Sequence, residues 1–288
     1  MSDRPVRAPR ADPRDVVELK QLKIDQPDLA GAVDMQLALV DMQRRVQSRV
    51  PLPWIQVDPT WLRSQQEAGR PIVRFADIPL EWTDFRLTFR QTADILRRHE
   101  VIEPAEHETI IALGREAHAL EPVVTTWYQS TSGVDGTAAG ERLPPGSPGS
   151  LEQVLVLALR PFLARCAESL IQRTDLSPWR RGHCPFCGWE PDFAVITPAA
   201  DRHLICGRCL AEWPFEPVTC PFCANDDRAR ITAFTSRDGR YRVYACDVCR
   251  RYLKAYDGRR ASRPAMVAVD TIATLPLDAA AMQRGYNA

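Results

Sequence analysis

The sequence predicts an α+β protein: an all-helical N-terminal domain followed by two tandem ribbon-type subdomains, each closed by paired cysteines. Three observations predict it. Apolar residues recur at helical spacing through residues 15–172. Eight of the nine cysteines fall in C-x-x-C pairs, all between residues 184 and 249. Short β-prone segments and turn residues run between and after those pairs.

The chain opens on MSDRPVRAPRADPR. Its basic residues are followed by no apolar core, so residues 1–14 read as a mobile tail and not as a secretory signal. Residues 15–178 read as the helical domain. Met35, Leu39, Met42 and Val46 share one helix face. Thr83 is placed to cap a helix presenting Phe85, Phe89 and Leu96. Pro104 stands where a first helical residue is expected, ahead of Ile110, Ile111 and Leu113. Ser150-Leu151-Glu152-Gln153 reads as a capping box before a long apolar helix, and Pro161 predicts a kink or break inside it. Pro51-Leu52-Pro53 and Pro71 mark joints, and the Gly/Ser/Pro-rich stretch from Ser130 to Ser150 reads as a flexible loop. No phosphate-cradling loop, nucleophile elbow or H-E-x-x-H motif occurs in this half.

The cysteine pairs are Cys184/Cys187, Cys206/Cys209, Cys220/Cys223 and Cys246/Cys249, with 18 residues between the first two pairs and 22 between the last two. C-x-x-C puts two sulfurs on one tight turn, and a tetrahedral ion needs a second such knuckle. A hairpin brings that knuckle back. Asp192–Ile196 and Arg202–Ile205 supply its strands in the first copy. Arg230–Phe234 and Tyr241–Tyr244, turned by Asp238-Gly239, supply them in the second. C-P-F-C opens both copies, so the region reads as an internal duplication: residues 179–218 form the first ribbon, and residues 219–288 form the second with a C-terminal extension. Sequential pairing of the knuckles is preferred, and ligation of the first with the third and the second with the fourth stays open. Four sulfurs suit zinc or a single iron. The ion is either purely structural, since ribbons this small need a staple, or functional. A thiol–disulfide oxidoreductase would need a thioredoxin-like βαβ context, which is not visible. Gly188 sits where a positive φ is often required; the second copy has Ala224-Asn225 there, with Asn225 the residue suited to it.

Cys166 lies in an apolar stripe with Leu155, Leu159 and Phe162 and reads as a buried small hydrophobe. His183 and His203 lie near knuckles but are surplus to four thiolates, and His99, His107 and His118 lack partners. The formal net charge is zero, with 20 Lys/Arg against 24 Asp/Glu in residues 1–172 and 15 against 11 in residues 173–260. A phosphate track is therefore not expected, despite Arg180-Arg181, Arg250-Arg251 and Arg259-Arg260 near the knuckles. The longest apolar run, Val154–Leu159, is too short to span a membrane. Clustered cysteines in a chain read as cytoplasmic bind metal more often than they form disulfides.

Four ordered motifs resemble those of the FdhE family of formate dehydrogenase accessory proteins. They are C-P-x-C-G-x-x-P (Cys184 to Pro191), C-x-x-C-x-x-x-W (Cys206 to Trp213), C-P-x-C (Cys220 to Cys223) and C-x-x-C-x-x-Y-L-K (Cys246 to Lys254). Val269-Asp270 and Leu277-Asp278 add to the likeness. The resemblance implies a cytoplasmic, non-enzymatic factor needed for active formate dehydrogenase, which binds the molybdenum-cofactor catalytic subunit before its export. It further implies rubredoxin-like ribbons in which the eight paired cysteines hold two metal ions, iron first and zinc as the alternative. It implies neither a nucleic-acid partner nor membrane insertion, and leaves the oligomeric state open, a dimer included. Trp189, Trp213, Tyr252 and Tyr256 either contribute to a client surface or pack over the ribbons, the second being favoured.

Overall fold

The computed structural model describes residues 13–132, 143–259 and 263–287. The expected tail up to residue 12, residues 133–142 of the expected loop, and Arg260 lie outside them.

Helices occupy the first part: α1 (Arg14–Asp25), α2 (Ala30–Gln47), α3 (Pro59–Ala68), α4 (Trp82–Arg98), α5 (Pro104–Arg115), α6 (Ala117–Ser132) and α7 (Leu151–Ile171). The periodicity that marks them also builds the core. Leu39, Met42 and Val46 of α2, Phe85, Phe89 and Leu96 of α4, and Leu155, Leu159, Phe162 and Cys166 of α7 are all buried. The Phe85 and Phe162 rings meet edge to face at 5.9 Å. Burial pushes the Cys166 thiol up to about 12, which suits an inert core residue. Pro104 is the first residue of α5, as expected.

Three expectations about helix ends and interiors need correction. Ser150 does not form a capping box: its hydroxyl donates to Glu106 Oε2 at 2.8 Å, and Glu152 accepts from Trp127 Nε1 at 3.0 Å. Tertiary partners have taken both side chains. The cap of α4 is Glu81, which accepts from the Asp84 amide, and Thr83 lies inside the helix. Pro161 does not break α7. Its ring leaves the Leu157 carbonyl without an intrahelical donor, and Gln43 Nε2 of α2 fills that place at 2.9 Å.

Six strands follow: β1 (Pro191–Ile196), β2 (Arg202–Cys206), β3 (Glu212–Phe215), β4 (Ile231–Thr235), β5 (Tyr241–Cys246) and β6 (Tyr252–Asp257). Each copy of the duplicated unit is an antiparallel three-stranded meander, as its turn signals indicate. The units do not stand apart. β1 pairs in parallel with β6 through Ala194↔Ala255, Val195↔Tyr256 and Ile196↔Asp257, giving one sheet of order β3-β2-β1-β6-β5-β4. Each meander thereby covers an open edge of the other.

Two short helices, α8 (Val267–Ala273) and α9 (Leu275–Gln283), end the described chain. α8 returns to the N-terminus, where Val269 and Ile272 pack with Leu19, Leu22 and Val33. The resemblance motifs hold this closure together. Lys254 Nζ and Tyr252 Oη both reach Asp278, at 2.6 and 2.7 Å. Buried Asp270 accepts from Tyr241 Oη at 2.8 Å and from Arg263. Among the described residues, no helix is long and apolar enough to cross a membrane.

Candidate metal centres

All four knuckles share one backbone design. The amide of the residue after each second cysteine donates back to the carbonyl of the first: Gly188 to Cys184, Leu210 to Cys206, Ala224 to Cys220 and Arg250 to Cys246. The first cysteine's amide donates to the carbonyl five residues on, from Cys184 to Trp189, Cys206 to Ala211, Cys220 to Asn225 and Cys246 to Arg251. This turn requires a left-handed residue after the second cysteine, and Gly188, Leu210, Ala224 and Arg250 have φ of 75, 61, 58 and 60°. Ala224 itself, and not Asn225, takes the positive φ in the third knuckle.

Sulfurs come together in sequential pairs of knuckles. Cys184, Cys187, Cys206 and Cys209 form one cluster, and Cys220, Cys223, Cys246 and Cys249 the other, the Sγ atoms of each lying within 4.8 Å of one another. Sulfur–sulfur separations are 3.5 Å for Cys184–Cys209, 3.4 Å for Cys187–Cys206, 3.7 Å for Cys220–Cys249 and 3.6 Å for Cys223–Cys246. Tetrahedral coordination at about 2.3 Å puts sulfurs about 3.8 Å apart, so both clusters fit a tetrathiolate ion. No disulfide joins any of the nine cysteines. Burial alone would raise Cys187, but hydrogen bonding from the other three thiols and the charge of Arg208 hold it well below the usual thiol range. Burial raises Cys184 and Cys209. In the second cluster Cys246 is lowered by backbone and thiol hydrogen bonds that outweigh burial, while burial raises Cys220.

The two clusters differ in what covers them. The first is buried throughout and belongs to the main core. The Ile72 and Val73 amides donate to the Pro185 and Phe186 carbonyls at 3.0 and 2.8 Å, Tyr128 Oη donates to Val73 O at 2.9 Å, and Arg160 of α7 donates to Gly207 O at 2.7 Å. At Gly188 a Cβ would lie 2.0 Å from the Ser132 carbonyl oxygen at the end of α6. The second cluster is open on one side, where Cys223 is exposed and Cys249 half-buried. Its contact with the first ribbon is close, since a Cβ at Gly182 would meet the Pro221 carbonyl oxygen at 1.9 Å.

Neither cluster includes a histidine. His183 contacts Gly69 O at 3.0 Å and His203 contacts Glu212 at 2.6 Å. Trp213, Tyr252 and Tyr256 are buried, so they pack the ribbons and form no surface. Trp189 packs against Trp127, the rings tilted and their centroids 5.5 Å apart. Sequence reasoning missed Arg208, fully buried against Trp127, Tyr128 and Trp189, and Arg202, buried between Phe215 and Tyr244. One signal marked Arg208: the residue before the second cysteine is Phe, Phe or Val in the other knuckles. A cleft of about 830 Å³ separates α2 and α7 from the sheet and α8, and reaches Cys206 of the first cluster and Phe222 beside the second.

Comparison with known proteins finds no matching family model. The chain is 28% identical over 145 residues to a protein FdhE homolog of Aquifex aeolicus, a match spanning 49% of this chain and 50% of that protein's length. In fold it is similar to the crystal structure of the FdhE protein from Pseudomonas aeruginosa, with a TM-score of 0.61 over 95% of this chain and 92% of that one, at 21% identity. The resemblance carried by the four cysteine motifs thus extends to half of the chain in sequence and to nearly all of it in fold.

Proposed function

We propose, with the likeness to FdhE proteins as premise, that this chain is a non-enzymatic accessory factor in the production of active formate dehydrogenase, acting in the cytoplasm on the enzyme's molybdenum-cofactor catalytic subunit. The observation that carries the reading is the pair of tetracysteine clusters, built from the motifs of the resemblance and set in an FdhE-like fold. The eight cysteines would each hold one of two ions, iron or alternatively zinc. Iron in four thiolates exchanges an electron without changing ligands, whereas zinc holds the ribbons in shape.

Three of the arginines near the knuckles are engaged by carboxylates. Arg250 meets Asp247 at 3.2 Å, Arg251 meets Glu190 at 2.8 Å and Arg259 meets Asp257 at 2.7 Å. Each of the three meets a carboxylate, Asp257 being shared between Arg259 and Arg242, which supports a protein client over a nucleic acid.

Co-purification of the tagged chain with the catalytic subunit, and loss of formate oxidation in cells lacking the chain, are the expected results. Normal formate oxidation in such cells would overturn the reading. Elemental analysis with a visible spectrum of freshly purified protein is expected to give two ions per chain and to identify them.

A further inference from the structure

Buried guanidinium groups ordinarily meet a carboxylate, because an uncompensated charge inside a protein is costly. Among the described residues, two arginines depart from this. Arg208 is fully buried, and no carboxylate lies within ion-pairing distance of it. It donates to Thr131 Oγ1 at 3.0 Å and to the Cys187 carbonyl, and its Nε has no partner. Arg202 is 4% exposed, donates only to the Thr219 and Pro217 carbonyls at 3.0 and 3.4 Å, and leaves Nε and one terminal nitrogen unpartnered. Each of these charges lies beside one cysteine cluster. Arg208 stands within the second knuckle, and Arg202 lines a small cavity with Cys220 and Cys246.

A divalent ion in four thiolates carries a net charge of −2 into the protein. The structure assigns Arg208 and Arg202 as the counter-ions of the two metal centres, Arg208 for the buried first and Arg202 for the half-open second, each supplying positive charge to its tetrathiolate. This rests on the metal reading above. Arg208 is 0% exposed, and its donors reach one hydroxyl and one carbonyl, neither of them charged. Burial pulls Arg202 down to about 10, which leaves it charged at neutral pH, with Tyr244 and Cys220 acting against the fall. Arg160 also approaches the first cluster, but unlike Arg208 it is only half-buried. The aromatic rings around Arg208 fix the guanidinium in place without neutralising it.

The test compares a neutral substitution with a charged one at each position. Arg208→Met and Arg208→Lys, and Arg202→Met and Arg202→Lys, are loaded with zinc and titrated against a chromophoric chelator. Cobalt substitution reports thiolate coordination through its charge-transfer absorption. Each Met variant is expected to lose about 10–100-fold in affinity for one of the two ions, the range typical of groups that support metal ligands. Each Lys variant is expected to stay within a few-fold of wild type, although it cannot reproduce the planar stacking or the fork of hydrogen bonds. A purely structural role predicts that Lys does as badly as Met, and that outcome overturns the assignment, as does a Met variant with both affinities unchanged. Should Arg208→Met yield no folded protein, the Arg202 pair decides the question alone. Wild-type protein that takes up neither zinc nor cobalt would overturn the metal reading and this assignment together.

Discussion

Gly188→Ala tests the seam between the first metal centre and the helices. Two costs combine. Position 188 has φ of 75°, which for a residue with a Cβ costs about 1–2 kcal/mol. The added Cβ would sit 2.0 Å from the Ser132 carbonyl oxygen, where ordinary contact begins at 3.4 Å, and the blocking atom is backbone. The knuckle must therefore back away from α6 by over an ångström. That movement loosens the Arg208–Thr131 hydrogen bond of 3.0 Å and the Trp127–Trp189 ring contact. Overpacking of this kind costs about 1–3 kcal/mol, so the combined loss is about 3 kcal/mol. With Tm falling about 2–4 °C per kcal/mol, the expected drop is about 6–12 °C in thermal unfolding followed by circular dichroism at fixed metal concentration. Ala224→Gly is the control. It alters the same turn position, with φ of 58°, on the exposed side of the second cluster. Relief of the left-handed strain is offset there by added freedom of the unfolded chain, and the net change should lie within about 1 kcal/mol. If Gly188→Ala loses no more stability than this control changes, the tight seam with Ser132 is not a feature of the folded protein.

Three further outcomes follow from the same geometry. Excess chelator should withdraw the two ions in separate phases at least about tenfold apart, the fast one from the cluster containing exposed Cys223, since a tenfold ratio asks for only about 1.4 kcal/mol of extra opening at the buried cluster; a single phase releasing both ions would contradict the asymmetry. Gln43→Ala should destabilise the protein by about 1 kcal/mol by orphaning the Leu157 carbonyl, and the loss should shrink when Pro161→Ala restores a main-chain donor; additive effects in denaturant titrations would count against that hydrogen bond. The hydrogen bond to Glu212 outweighs burial and raises the pKa of His203, so the pair stabilises the protein below the ordinary histidine range and the contribution is lost as pH rises through the folded-state value. His203→Gln should therefore cost a few tenths of a kcal/mol at pH 6 and less at pH 8.5, because the pair is partly hydrated; equal losses at both pH values would rule out that linkage.

Much of this was legible in the sequence because spacing carried it. Helical periodicity marks the buried faces of α2, α4 and α7, and the cysteine pairs with alternating strands mark both meanders. What was not legible lies where tertiary structure reassigns a local signal. Ser150 and Glu152 have the spacing of a cap, yet Glu106 and Trp127 take their side chains. Pro161 reads as a helix breaker, yet Gln43, distant in sequence, supplies the missing donor. Glycine marks only one of the four left-handed knuckle positions; Leu210, Ala224 and Arg250 hold the same conformation with no compositional sign. The parallel joint between β1 and β6 depends on backbone edges that any side chains could present, so no residue pattern announces it. Arg208 stands where the other knuckles carry Phe, Phe and Val, a sign of burial, but its partners on α6 are distant in sequence.

The duplication explains why the two centres share a design, but packing makes them unlike. Their turns and sulfur separations agree closely, so the ligand cages themselves do not distinguish them. The first unit packs its outer face on α6, α7 and the segment 71–73, and its sulfurs are buried. With a divalent ion bound, the doubly negative cage would need compensation from within the protein, and amides of Phe186, Arg208 and Cys209 directed at sulfur at 3.3 to 3.4 Å, with the proposed counter-ion Arg208, would supply it. The second unit keeps Cys223 in water, so solvent shares the task with Arg202 and with the backbone amides directed at Cys220 and Cys246. Neutralising Arg208 should consequently weaken its ion more than neutralising Arg202 weakens the other. The reverse order would mean that solvent exposure, and not internal charge, governs how tightly these cages hold metal.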